Sequence, residues 1–400
     1  MAAVVWSGSG AGDGMRKDDL AGIRRRLATL GRSPMPEDVA KAMRAEGLVV
    51  SDAALMDCVE TLRRDSVGAG VLEPLLRREG VTDVLVNGPS EVFIDRGEGL
   101  ERTGVTFADD AEVRRLAARM AASAGRRFDE GAPFVDSRLP DGTRVHAILA
   151  SVADPGTCLS LRVPARRRLS LDEWVERGSV PAQGAALLRE VVASRLAFLV
   201  CGGTGTGKTT LLASMLAEMP SNERLVVVED SRELNPEHPH CVRLEARAAN
   251  AEGAGAVTLT DLVRQALRMR PDRLAVGEVR GAELTDLLTA LNTGHEGGCG
   301  TIHANSAADV PARLTALAAL GGLSPQALVA QASAALDVVV PLRRRDGRRQ
   351  VTGIHVLRRA GTVRAAGEWS ELEVVPAVEF EDGRCVPGPA IDELRRMCGR

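Results

Sequence analysis

The 400-residue sequence predicts an α/β fold, with a parallel-sheet domain preceded by a smaller α+β domain and a short helical N-terminal region. Three observations carry that prediction. From about residue 185 onward, short apolar runs alternate with helix-length runs, the sequence form of a parallel sheet with helices on its faces. Between residues 71 and 163 the pattern changes to short β-like runs separated by Asn-Gly-Pro and Asp-Gly turn signals around one helical stretch. Residues 17–65 show helical periodicity.

The elements follow in chain order. Residues 1–16, rich in Gly, Ala and Ser, lack a basic segment followed by a sustained apolar run, so they are expected to be a disordered tail rather than a signal peptide, with Met15 an alternative start. In the helical region, 17–65, Leu20, Ile23, Leu27 and Leu30 fall on one face, and Ser51 can cap a helix carrying Leu55, Cys58, Val59 and Leu62. The α+β domain is expected over 66–163, with strands at 81–86, 91–95 and 144–149 and a helix near 110–124. Residues 164–184, with Pro, Arg and Gly, read as a linker. The parallel-sheet domain is expected over 185–360, with strands at 196–201, 225–228, 274–277 and 301–302. A closing β section flanks the turn signal Asp346-Gly347, and 361–400 is left as a C-terminal β/tail segment.

Composition bounds the function classes. With 44% hydrophobic and 26% charged residues the chain can bury a sizeable core. No apolar run approaches the roughly 18 residues of a membrane span, so a soluble chain is expected. Seven cysteines without a C-x-x-C pair argue against a disulfide framework or zinc site and favour a reducing cytoplasm. Net charge is −3, and only nine residues are aromatic, too few for an obvious base-stacking track. The arginine triplets at 24–26, 166–168 and 343–345 read as solvated faces, leaving no strong sign of a nucleic-acid partner.

One segment carries specific chemistry. Gly202, Gly203, Thr204, Gly205, Thr206, Gly207, Lys208 and Thr209 fit G-x-x-x-x-G-K-[ST], between an apolar strand and the helical run opening at Thr210. Glycines let successive backbone N–H groups turn toward phosphate, and the helix N-terminus adds a favourable dipole. Lys208 is expected to neutralise β/γ-phosphate charge and Thr209 to hold Mg²⁺, which makes ATP with Mg²⁺ the expected ligand.

Acids cluster after the next strands. Glu229, Asp230 and Glu233 follow an apolar run, where a carboxylate beside the ligand crevice can accept a proton from attacking water. Glu278, after residues 273–277, can hold the water shell of Mg²⁺, with Arg280 close behind. His295 and His303 stand eight residues apart around a glycine-rich turn, where a histidine can sense a γ-phosphate.

These segments, in this order and spacing, resemble the secretion ATPase superfamily that drives type II and type IV secretion and pilus machines. The matching residues are Gly207-Lys-Thr-Thr210, Glu229-Asp230-x-x-Glu233 (an Asp box), residues 270–280, and Thr293-Gly-His295 through His303-Ala-Asn305 (a His box). Upstream, Val86-Asn-Gly-Pro89, residues 125–130 and residues 137–144 resemble the CpaF/TadA-type branch, associated with Flp/Tad pili and in actinobacteria described as conjugal-transfer-associated. The resemblance covers roughly residues 70–360. It implies a RecA-like P-loop ATPase domain, with Glu233 activating water, Glu278 as the Walker B acid and His303 as a γ-phosphate or interface sensor. It further implies that Arg138, Arg144 and Arg162 reach the nucleotide across a domain or subunit cleft. A homo-hexamer acting on an inner-membrane platform protein from the cytoplasmic side is the implied assembly. Two departures stand out: Gly298-Cys299-Gly300 in the His box, and the absence of tyrosine.

Overall fold

The computed structural model describes residues 17–28, 35–66, 68–97, 99–164, 168–247, 249, 253–345, 347–360 and 371–399. The expected tail at 1–16 lies outside them. The chain divides into two compact units, residues 1–164 and 165–400.

The first unit begins with α1 (Lys17–Ala28), α2 (Pro36–Ala45) and α3 (Asp52–Ser66), whose Ile23, Leu27, Val39, Met43, Cys58 and Leu62 form a small core. Ser51 accepts from the Ala54 amide at 3.2 Å and caps the third helix. After α4 (Glu73–Leu76) come β1 (Asp83–Asn87), β2 (Glu91–Asp95), β3 (Leu100–Arg102), α5 (Asp110–Ser123), β4 (Phe134–Arg138), β5 (Arg144–Ile148) and β6 (Cys158–Arg162). The six strands form one antiparallel sheet in the order β3-β2-β1-β6-β5-β4. Strict alternation buries one face: Val84, Val86, Val145, Ala147, Leu159 and Leu161 pack with Val113, Leu116 and Met120 of α5.

The register of this sheet aligns the three arginines singled out above. Arg138 lies opposite Arg144, Arg144 opposite Arg162, and Arg162 opposite Asp83. Directly opposed residues project to the same face, so the arginines form a row on the face away from the core. Arg162 Nε donates to Asp83 Oδ1 at 3.1 Å, at the end of that row.

The second unit opens with α6 (Leu171–Glu176), within the stretch read as a linker, and α7 (Ala182–Ala193), which begins at its end. That expectation is corrected from residue 168. Ser170 and Glu173 make a reciprocal capping box, and Leu171 and Trp174 are buried in the core. There follow β7 (Phe198–Cys201), α8 (Lys208–Ala217), β8 (Leu225–Glu229), β9 (Cys241–Glu245), α9 (Leu259–Ala266), β10 (Arg273–Val279), α10 (Glu283–Leu291), β11 (Cys299–Ile302), α11 (Val310–Leu320) and α12 (Pro325–Ala335). The chain closes with β12 (Val338–Arg345), β13 (Arg348–Val351), β14 (Gly353–Arg359), β15 (Leu372–Glu381), β16 (Arg384–Pro387) and α13 (Ile391–Met397).

The sheet runs β16-β15-β14-β12-β7-β11-β10-β8-β9, with β13 paired to β12. From β12 to β9 every pairing is parallel; β14, β15 and β16 extend it antiparallel. Residues of β7 and β8 are buried throughout, as expected where helices cover both faces. One core holds α6, α7, α8 and α13; the other holds α9 to α12. The segment expected as a separate β/tail at 361–400 therefore contributes β15 and β16 to the same sheet. Gly184 of α7 shows why the fit is close: a Cβ there would lie 2.7 Å from Phe380 Cζ of β15.

Candidate nucleotide-binding site

The phosphate loop sits between β7, which lies between β12 and β11 in the parallel part of the sheet, and α8. Gly205 and Gly207 have φ of 72° and 99°, a left-handed backbone that glycine adopts without strain. Gly207 is the N-cap of α8, so Lys208 and Thr209 open the helix. Thr206 Oγ1 donates to the Gly203 carbonyl at 2.9 Å, closing the loop on itself. Lys208 Nζ donates to the carbonyls of Gly202 and Gly203, at 3.0 and 2.9 Å. Burial lowers the Lys208 pKa, against the opposing pull of Glu278, Cys201 and Glu233. A half-buried cation over a glycine loop at a helix N-terminus fits a polyphosphate.

The acids stand at the carboxyl ends of neighbouring strands. β10 carries one extra residue relative to β11: Val276 pairs with Gly300, but Val279 pairs with Ile302. The bulge falls on Gly277 and Glu278 and re-aims the side chain there. Thr301 Oγ1 donates to the Gly277 carbonyl at 2.6 Å and secures it. Thr209, in the first turn of α8, and Glu278, on the bulge, are the residues that would hold Mg²⁺, an ion that would supply charge neutralisation to a polyphosphate.

Glu233 is exposed on the loop after β8, and that loop is pinned from both sides. Glu229 Oε1 accepts from the amides of Glu233 and Leu234, at 3.0 and 2.8 Å. On the other side Arg243 donates to the Leu234 carbonyl and to Asn235 Oδ1, which also accepts from Arg168. A cleft of about 440 Å³ opens there, lined by Arg168, Asn235, His238 and Arg243 among others.

Glu229 itself is buried, and its Oε2 has no hydrogen-bond partner among the described residues. Burial pushes its carboxyl up to about 7, although the Leu234 and Glu233 amides act in the opposite sense. A carboxyl raised above its ordinary 4.5 contributes stability that is fully present below that value and lost as pH rises through about 7. Glu229→Gln is expected to flatten the fall in stability across that window. Urea unfolding of both proteins at pH 5 and pH 8 checks it, and an unchanged difference between the two pH values would refute it.

Asp230 pairs with Arg280, joining the loops after β8 and β10 and occupying the arginine expected near the site. His303 follows β11, whose last residue, Ile302, is in register with both Cys201 and Val279. It therefore stands at the sheet edge between the phosphate loop and the Glu278 bulge. His295 sits beyond α10, with Nδ1 3.2 Å from the Ala290 carbonyl. The Gly298-Cys299-Gly300 departure has a packing reason. Cys299 is fully buried, its thiol pushed up to about 12 by desolvation, and a Cβ at Gly300 would meet the Val276 carbonyl at 2.9 Å.

Two residues beside the loop escaped the sequence reading. Trp174 lies under it, its Nε1 donating to Ser214 Oγ at 2.9 Å, and Arg349 lies against Gly207. The Ser170-x-x-Glu173 cap could have exposed the first; no linear signal marks the second.

Comparison with known proteins decides the family. The model for "Type II/IV secretion system protein" matches residues 65–359. The chain belongs to that family. It is an ATPase of the type II/IV secretion group, with the α/β architecture that its phosphate loop required. The Mycobacterium tuberculosis protein Rv3659c, provisionally named for conjugal transfer, is 53% identical over 329 residues, covering 80% of this chain and 94% of its own. The type IV secretion system protein PtlH of Bordetella pertussis is 34% identical, covering 71% and 92%. Among solved structures, the Legionella pneumophila ATPase DotB superposes with a TM-score of 0.51 at 19% identity, over 72% of this chain and 79% of its own. The pilus retraction motor PilT with bound ADP gives 0.51 at 19%, over 71% and 80%. At those identities the two structures support the fold.

Proposed function

We propose that this secretion ATPase is a hexameric motor that hydrolyses Mg-ATP to drive assembly of Flp/Tad-type pili, or secretion of pilin-like substrates, through an inner-membrane platform protein. The observation that carries this reading is the convergence on one sheet edge of the Lys208 loop, the re-aimed Glu278 and the pinned Glu233 loop. Hydrolysis needs all three functions: grip, metal and water activation. The row of Arg138, Arg144 and Arg162 in the first unit supports a motor further, because arginines that reach phosphate only in some arrangements couple hydrolysis to movement. No helix among the described residues is long and apolar enough to cross a membrane, so attachment to the membrane would run through the platform.

A second reading is a DNA-transfer motor. It is favoured by the printed names of Rv3659c and of the Rhizobium radiobacter conjugal transfer protein TrbB, 32% identical over 282 residues. The chain's acidic balance and few aromatics weigh against it. Light scattering of the purified chain with Mg-ATP is expected to give the mass of six copies, with phosphate release unchanged by duplex DNA. DNA-stimulated release that falls steeply with salt would replace the pilus reading with this one.

A further inference from the structure

The phosphate loop has a basic neighbour that its motif does not include. The β12–β13 hairpin leans on it: a Cβ at Gly202 would lie 2.6 Å from the Leu342 carbonyl, and one at Gly207 would lie 2.9 Å from Arg349 Cδ and 3.5 Å from Arg349 Nε. The stem of Arg349 therefore runs along the last glycine of the loop, beside the ring edge of Trp174.

The hairpin register sets Arg344 directly opposite Arg349, and Arg177, following α6, adds a third positive charge. Like charges placed opposite one another on a sheet are destabilising unless something compensates them. Desolvation together with Arg344 and Arg177 makes Arg349 less ready to hold its proton than an ordinary arginine. Among the described residues no carboxylate forms an ion pair with Arg349 or Arg177. Here a fold keeps repelling guanidiniums beside a loop shaped for anions, on the β12 side and so away from Glu278 and Glu233.

We infer that Arg349 is a nucleotide-binding residue that donates to the phosphate chain of the nucleotide in the Lys208 loop, with Arg344 and Arg177 reinforcing the positive field. This rests on the reading of that loop as the ATP site. A bound polyphosphate would supply the counter-charge that Arg349 lacks among the described residues, and Arg349 Nε and its two terminal nitrogens offer the planar fork suited to phosphate oxygens. Arg348, the next residue of β13, projects to the other face and is the natural control.

Equilibrium binding of ADP and of inorganic tripolyphosphate, followed by calorimetry without turnover, tests the inference. Arg349→Gln is expected to weaken both ligands by about tenfold, the scale of one lost charge-assisted hydrogen bond. Arg349→Lys should fall between, keeping charge but losing the fork, and Arg348→Gln should stay within about twofold of the unmodified chain. Unchanged binding by Arg349→Gln, an equal loss in Arg348→Gln, or a loss confined to ADP would each overturn it. If the unmodified chain bound neither ligand, the nucleotide-site reading itself would fall, an outcome distinct from all of these.

Discussion

Lys208→Ala is expected to weaken nucleotide binding by ~100-fold or more and with it to abolish turnover, whereas Glu233→Gln should bind nucleotide normally and lose turnover by a factor of ~10² to 10⁴. Lys208 is held half-buried on two loop carbonyls, where desolvation already opposes its charge. It is the one charged side chain of the segment 202–209, so its removal takes away the loop's own cation for the β- and γ-phosphates. Glu233 plays a different part. It is exposed, its backbone amide is fixed by Glu229, and a glutamine of the same shape leaves that amide and the loop unchanged. The capacity to accept a proton from water disappears. Labelled-nucleotide titration and phosphate release, run on both variants, separate grip from chemistry. Full hydrolysis by Glu233→Gln would remove Glu233 from the role and return attention to Glu229, whose Oε2 has no hydrogen-bond partner among the described residues.

The parts of this site legible in the sequence are those determined locally. A strand, a glycine loop and a helix opening with Lys208 occupy consecutive residues, so the P-loop is readable from spacing alone, and β7, β8, β10 and β11 fall where apolar runs place them. The linker reading failed for a compositional reason: Pro, Arg and Gly around it hid the Ser170 to Glu173 cap, although S-x-x-E was present to be read. The β/tail reading of 361–400 gives no sign that β15 joins the main sheet; Pro376 interrupts its alternation, and the structure places that proline where the register with β14 shifts, which is where a sheet tolerates one. Adjacency between distant segments was beyond reach. Arg138, Arg144 and Arg162 could be singled out, but their common row depends on strand register, and Arg349 meets Gly207 only because a hairpin more than 130 residues downstream folds back on the loop.

A buried network far from the nucleotide should dominate stability in the second unit. Glu223 accepts from Arg273 Nε at 2.7 Å and from Arg195 Nε and Nη2 at 3.1 and 2.7 Å. Burial alone would raise the Glu223 pKa, but the hydrogen bonds and charges of Arg273 and Arg195 outweigh it and hold the carboxyl below its ordinary range. A depressed carboxyl stabilises the fold above its unfolded pKa, and that contribution is lost as pH falls through the folded value. Arg273 is 1% exposed, and its Nη2 already has no hydrogen-bond partner among the described residues. Glu223→Ala would leave that guanidinium buried without its counter-ion, and a loss of about 3 to 5 kcal/mol is expected. Arg195→Ala should cost under about 1 kcal/mol, because Arg195 is half-exposed and Glu223 keeps its buried partner. Trp174 can report the transition of this unit in a chain with Trp6 and Trp369 replaced by phenylalanine, since its ring is packed in the same core. Urea unfolding of the two variants should therefore separate by more than about 2 kcal/mol, and equal losses would refute the assignment. Glu223 and Arg273 tie the amino ends of β8 and β10, whereas the candidate nucleotide site lies in the loops at the carboxyl ends of β7, β8 and β10. Glu223→Ala assayed well below its unfolding transition should therefore keep the nucleotide affinity of the unmodified chain, which a defect in the site itself would not allow.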